Sequence, residues 1–137
     1  MSKLKYLFLV VLFSLIACKG EPSFDPSKID SAYLYKSWTN SFEEQKNANE
    51  MIQIFRPDNY KQFPASRYRE IITFRKDGGC TFFILDPADA HHFENGKWKF
   101  LDRENKIIGI LNSSDNVYKK FQILELKSDL LKILLVN

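Results

Sequence analysis

From residue 68 onward, short apolar runs alternate with turn-forming residues at a spacing of roughly ten positions, which is typical of an all-β meander. The pattern predicts strands at 68–75, 80–86, 97–101, 107–112, 117–126 and 130–136. The last of these has apolar residues on both faces. We therefore expect it to be central or covered rather than an exposed edge.

The clearest local signal is the turn Lys76-Asp77-Gly78-Gly79. Asp-Gly favours a tight hairpin because both residues tolerate positive φ, so the strands on either side should pair. Farther along, Trp98 and Phe100 alternate with lysines, which predicts a strand with one buried face. Gly109 interrupts another apolar run and suggests a bend or bulge there.

The first half of the chain is less regular. Residues 33–42 contain four aromatic side chains and predict a first strand, although Ser41-Phe42-Glu43-Glu44 also matches a helix capping box. The polar residues that follow show no apolar stripe, so we favour a hairpin with its return strand at 51–55. Residues 56–67 contain two prolines and predict an ordered loop. Loops of that length often carry function.

These segments amount to about eight candidate strands, each of which must bury one face. Antiparallel sheets of this size commonly bury that face by curling. We therefore predict an all-β fold, an antiparallel meander of about eight strands that forms a small barrel or a strongly curved sheet.

The N-terminus has the composition of a secretion signal. Lys3 and Lys5 precede twelve residues, Tyr6 to Ala17, that are apolar except for Ser14. This segment is too short to span a hydrocarbon core of ~30 Å, so it fits a signal-peptide core better than a membrane anchor.

The end of that segment, Leu15-Ile16-Ala17-Cys18, resembles the lipobox of bacterial lipoproteins. The resemblance implies cleavage before Cys18 and lipidation of its thiol, which would hold the protein on a membrane. We expect a signal peptide at 1–17, a lipidated cysteine and tether at 18–32, and a β domain at 33–137. The alternative is an ordinary secretion signal with an incidental cysteine. The expected location is the bacterial cell envelope, and the lack of an aspartate after Cys18 favours the outer membrane.

Cleavage would change the composition of the remaining chain. Removing 17 of 137 residues leaves 120, which suits one small domain. The net charge falls from +3 to +1 because two lysines leave, so the basicity is no argument for a nucleic-acid partner. Cys80 becomes the only thiol beside a lipidated Cys18, so no intramolecular disulfide is expected. We interpret Cys80 as a buried core residue rather than a catalytic thiol.

Three features of the predicted β domain carry a second resemblance. They are Trp38 in the first strand, the Phe-Arg-Lys-Asp-Gly turn of residues 74–78, and Gly96-Lys97-Trp98. These features are similar to those of small lipocalin-like lipoproteins of Gram-negative bacteria, over residues 33 to 136. The resemblance implies a barrel that binds a small apolar molecule or a lipid. Six aromatic residues could line such a cavity, or fill it because small barrels can be solid inside: Trp38, Phe74, Phe82, Trp98, Phe100 and Phe121.

A second hypothesis is an envelope module that recognises a protein or a glycan through two loops, residues 56–67 and 87–95. Arg56, Tyr60 and Arg67 carry it, because arginine binds anions bidentately and stacks on aromatic rings. The alternative is that the arginines flank a strand edge while the aromatic rings pack the loop onto the core.

A third, weaker hypothesis is a metal-dependent activity at His91 and His92, near Asp86, Asp89 and Glu94. A zinc site would normally bring further histidines or cysteines at recognisable spacing, so we expect no metal and no cofactor. The chain carries no nucleophile elbow, phosphate-binding loop or metalloprotease motif. We therefore expect a non-catalytic protein.

Overall fold

The computed structural model describes residues 29–47 and 51–137. The predicted signal peptide (residues 1–17), the lipidation site Cys18 and most of the predicted tether lie outside the described residues. Within the described ranges, no helix has the length and apolar character needed to cross a membrane.

Eight antiparallel strands form one closed barrel. The strands are β1 (Ser37–Asn40), β2 (Ile52–Pro57), β3 (Ile71–Phe74), β4 (Gly79–Ile84), β5 (His92–Asp102), β6 (Ile107–Leu111), β7 (Val117–Leu126) and β8 (Leu131–Leu135). Short 3-10 turns precede β1 and β2, at Ser31–Tyr33 and Phe42–Glu44. The predicted all-β barrel is confirmed. Closure also pairs β8 on both sides, as its two apolar faces indicated.

The order of strands departs from simple succession at one place. Strands β3 to β8 pair consecutively, whereas β1 lies between β2 and β3, and β2 pairs with β8. The connection from β2 to β3 must therefore pass β1, which explains why residues 58–70 form a long loop. Arg56, predicted to begin this loop, belongs to β2 instead and pairs with Thr39 of β1.

The hairpin of β3 and β4 is confirmed, but its turn differs from the predicted one. The Gly78 N–H donates to the Arg75 carbonyl at 3.1 Å, and the Arg75 N–H donates to the Gly79 carbonyl at 2.9 Å. Of the turn residues, Gly78 has a positive φ of 87° and Asp77 does not. The turn is therefore a three-residue loop with a glycine bulge, which needs positive φ at one position only.

Several details of the strands were predicted incorrectly, including the strand predicted from residue 68, which begins at Ile71. The first strand begins at Ser37 rather than Tyr33, because a 3-10 turn precedes it. Strand β5 begins at His92, so the second half of the predicted 87–95 loop pairs with β4 instead. Gly109 pairs regularly, and the nearby bulge lies on β7, where Lys119 pairs with Ile110 and Val117 pairs with Leu111, so that Tyr118 is the extra residue.

One end of the barrel, which we call the closed end, is the end at which β1 begins. Leu34, just before β1, is fully buried, and its carbonyl accepts a hydrogen bond of 3.0 Å from the Trp38 indole N–H. Ile29 and Tyr35 also pack against the core. Apolar side chains from the segment before β1 therefore cover the core at this end.

Candidate functional site

The six aromatic residues predicted to line a cavity lie in or against the packed core. Trp38, Phe74, Phe82 and Phe121 are at most 1% exposed, and the partly buried Trp98 and Phe100 pack against this cluster. The ring of Phe74 contacts Phe121 at 6.4 Å and Trp98 at 5.8 Å between centroids, both edge to face. Aromatic contacts of this kind fill the middle of the barrel with protein atoms. A role of these rings in ligand binding stays a prediction.

Cys80 is fully buried in the same core. Burial raises the pKa of its thiol to about 12, because the thiolate would lose its hydration. The interpretation of Cys80 as a core residue is confirmed.

At the opposite end, where β2 and β7 begin, polar side chains replace apolar ones on the inner surface of the barrel. Phe55 and Phe121 belong to the core, so Gln53 and Lys119, two residues before them on the same strands, point inward as well. Glu70 lies two residues before the core residue Ile72. The pairing of β1 with β3 extends to Glu70, because the Glu70 carbonyl accepts the Asn40 N–H at 2.8 Å.

These inward-facing groups form a linked ion pair. Lys119 Nζ donates to the two carboxylate oxygens of Glu70 at 2.6 and 2.8 Å, and to Gln53 Oε1 at 3.3 Å. The side chains of Lys119 and Glu70 are 15% and 14% exposed. Lys119 Nζ also lies 5.9 Å from the centre of the Phe55 ring, so the pair lies directly on the aromatic core.

Tyr118 forms a wall beside this pair. Its ring stacks on Phe82 with centroids 4.9 Å apart and an interplanar angle of 27°. Burial raises the pKa of the Tyr118 hydroxyl, and the negative charges of Glu70 and Glu94 raise it further. Glu94 pairs with Phe82 across β4 and β5 and therefore also faces the interior.

A depression of about 340 Å³ lies over these residues, and we call it the mouth. Its size falls within the range of small-molecule sites. Several large apolar side chains at the same strand ends are exposed, which gives the mouth an apolar surround. The mouth is lined by Gln53, Glu70, Phe83, Leu85, Tyr118 and Lys119.

Sequence reasoning missed the mouth because it did not single out Lys119 and Glu70, and it considered Glu94 only as a member of a possible metal cluster with His91 and His92. A signal was nevertheless present in β7. Counting in twos back from the core residue Phe121 reaches Lys119, which places a lysine on the buried face. A charged residue in phase with the core of a strand is therefore the signal that could have found it.

The predicted interaction residues have partners within the chain. Arg56 Nη2 donates to Glu44 at 2.8 Å, and the Arg56 guanidinium lies 4.5 Å from the centre of the Tyr60 ring. Arg67 donates to Asp89 at 3.0 Å, and both side chains are more than half exposed. This contact joins the two predicted interaction loops.

The adjacent histidines make separate contacts. His91 Nδ1 accepts the Asp86 backbone N–H at 3.0 Å, and its ring lies against Tyr68 and Phe83. His92 Nδ1 lies 2.9 Å from the Ala90 carbonyl oxygen. In the part of the chain that the structure describes, no group of three or more acidic, histidine and cysteine side chains is placed to hold a metal.

The eight-stranded antiparallel barrel is consistent with a lipocalin-like fold. No family model matches the chain, and no curated protein or solved structure matches it significantly.

Proposed function

We propose that the protein is a non-catalytic, lipid-anchored lipoprotein of the bacterial envelope that binds a small amphipathic molecule at the mouth. The observation that carries the proposal is the mouth itself. Its floor is the Lys119–Glu70 pair and its walls are Tyr118, Phe83 and Leu85. Sites for small molecules commonly combine such apolar walls with a few placed polar groups.

The placement of the ion pair supports a binding role. Holding Lys119 and Glu70 mostly out of water carries a desolvation cost, and an apolar pair of similar volume would serve barrel stability as well. A largely buried charged pair beside a depression is therefore a candidate recognition group. The ligand would be held above the aromatic core rather than within it, since the rings of the core pack against one another.

The position of Ile29 is compatible with a lipid anchor at Cys18. Ile29, the first residue that the structure describes, packs at the closed end of the barrel. A lipid anchor attached upstream of Ile29 would leave the mouth, at the opposite end, accessible to a ligand.

A second candidate is the interaction module carried by the two loops. The Arg67–Asp89 contact favours it, because it brings the loops together beside Tyr68, which is 59% exposed. Clustered exposed aromatic and arginine side chains are typical of interface centres. The double variant Arg67→Ala/Tyr68→Ala would abolish co-purification of an envelope partner if this candidate is right, and would leave ligand retention at the mouth unchanged.

The test of the proposal is native mass spectrometry of the full-length protein extracted from its own membrane. We expect a retained small molecule in the parent and its loss in Tyr118→Ala, which removes a wall of the mouth. Tyr33→Ala is the matched control, because Tyr33 is exposed to a similar extent and lies before β1 at the closed end. A parent that retains no molecule, or equal retention by both variants, would contradict binding at the mouth. For the anchor, Cys18→Ser should release the protein from the membrane fraction, and unchanged fractionation would contradict lipidation.

A further inference from the structure

The donors of Lys119 are all in use. An ammonium group has three N–H donors, and those of Lys119 have acceptors in the two oxygens of Glu70 and in Gln53 Oε1. An incoming anion would therefore have to displace one of these contacts. Among the residues that the structure describes, Lys119 is the one cationic side chain that lines the mouth, and it has no donor free for an anionic ligand.

Acceptors, by contrast, remain available. A carboxylate has about four acceptor positions, and Lys119 uses two of those on Glu70. Glu94 Oε1 makes only a long contact of 3.5 Å, with the backbone N–H of Ser113. Two inward-facing carboxylates therefore retain capacity for a donor.

The charges near the mouth also favour a cationic ligand. Glu70 lines the mouth, and Glu94 lies opposite Phe82, on which the Tyr118 ring stacks, so the Glu94 carboxylate lies beside the same wall without lining the depression itself. The Tyr118 side chain is partly exposed at the mouth. An aromatic ring beside carboxylates attracts a cation through its negative face.

We infer that the mouth binds a primary ammonium or guanidinium head group joined to a short apolar body. The head donates to Glu70, the carboxylate of Glu94 beside the Tyr118 wall adds negative charge, and the body lies against Tyr118, Phe83 and Leu85. This inference rests on the proposed function and adds the charge of the ligand to it. It does not require any displacement of the Lys119–Glu70 pair.

The test compares three probes of matched length, hexylammonium, hexanol and hexanoate, by calorimetric titration of the full chain at neutral pH. We expect hexylammonium to bind at least about tenfold more tightly than hexanol, as charge-assisted hydrogen bonds are stronger than neutral ones. Hexanoate should bind no better than hexanol. Raised salt should weaken hexylammonium binding because the mouth is open to solvent.

Glu94→Gln should lower the affinity for hexylammonium about threefold, because it removes a nearby negative charge, and should leave that for hexanol unchanged. Glu104→Gln, in the turn between β5 and β6 at the closed end, is the matched control and should alter neither affinity. Tyr118→Leu provides an independent variant that keeps an apolar wall and removes the ring face, and it should also weaken hexylammonium binding.

The outcomes separate the two proposals. Preference for hexanoate, or equal binding of all three probes at the mouth, would overturn the cationic inference and leave amphipathic binding standing. Absence of any binding would overturn the inference as well. If native mass spectrometry also finds no retained molecule, the proposed function fails with it.

Discussion

Gly96 faces the backbone of Leu111 so closely that a Cβ atom built on Gly96 would lie 2.0 Å from the Leu111 carbonyl oxygen. The same atom would lie 3.1 Å from the Phe82 ring. The obstructing oxygen belongs to a neighbouring strand of the barrel, so it cannot rotate away as a side chain would. This contact gives a physical reason for the glycine in Gly96-Lys97-Trp98.

Gly96→Ala should therefore lower the free energy of unfolding by about 3 kcal/mol or more, since strand β5 must separate from β6 to admit the methyl group. Urea denaturation measures the change. Gly79→Ala is the control, because the nearest atoms to its added Cβ are at the end of the flexible Arg75 side chain. It should change stability by less than about 1 kcal/mol. Equal effects of the two substitutions would contradict the steric argument.

A second prediction concerns Arg69, which sequence reasoning did not single out by itself. Its guanidinium is buried and donates to the carbonyls of Asn40 at 2.8 Å and Pro64 at 2.9 Å, and to the carboxylate of Glu43. The Arg69 group lies 4.2 Å from the centre of the Phe42 ring. It thus connects the long loop before β3 to the segment after β1.

Glu43→Gln should destabilise the fold by about 1–3 kcal/mol, because it leaves the buried Arg69 charge without its counter-ion. Chemical denaturation at neutral pH measures the loss. The control is Asp115→Asn, which removes the partner of Lys97 in a pair whose side chains are 63% and 68% exposed. That change should cost less than about 1 kcal/mol. A larger effect at Asp115 than at Glu43 would refute the assignment.

A third prediction concerns pH and Glu44. The hydrogen bond from Arg56 lowers the pKa of the Glu44 carboxyl from 4.5 to about 2. Because the folded state holds this carboxylate ionised more strongly than the unfolded chain does, the stabilisation is complete above about 4.5. It is lost as the pH falls through about 2.

Glu44→Gln should accordingly be less stable than the parent at pH 7, by about 1–2 kcal/mol once solvent screening is included. The difference should shrink as the pH is lowered and nearly vanish at about 2. Urea titrations across this range measure it. A difference independent of pH would show that Glu44 stabilises the fold by packing instead of by charge.

A fourth prediction concerns Cys80, whose thiol has a pKa of about 12 in the folded protein. In the Cys18→Ser chain it is the only thiol. A chromogenic disulfide reagent at pH 8 should modify it at least about a hundredfold more slowly in the folded protein than in urea, since the thiolate is the reactive species. Equal rates would place the thiol at the surface.

Local patterning by itself determined much of the barrel. The alternation of Trp98 and Phe100 with lysines located one strand, and the residues 117–126 and 107–112 were placed within one residue of β7 and β6. The reason is that a half-buried strand repeats every two residues, and this period is visible in the chain without knowing its partners.

Only the tertiary structure decided which strands and side chains meet. The position of β1 between β2 and β3, the closure of β2 on β8, and the contact of Gly96 with Leu111 all join residues far apart in sequence. The inward Lys119–Glu70 pair arises in the same way, because closure of the barrel brings Lys119 on β7 close to Glu70, the residue before β3. Sequence periodicity indicates which face of a strand is buried. The side chains that meet across the barrel depend on strand register and barrel closure, which no single segment of the sequence encodes.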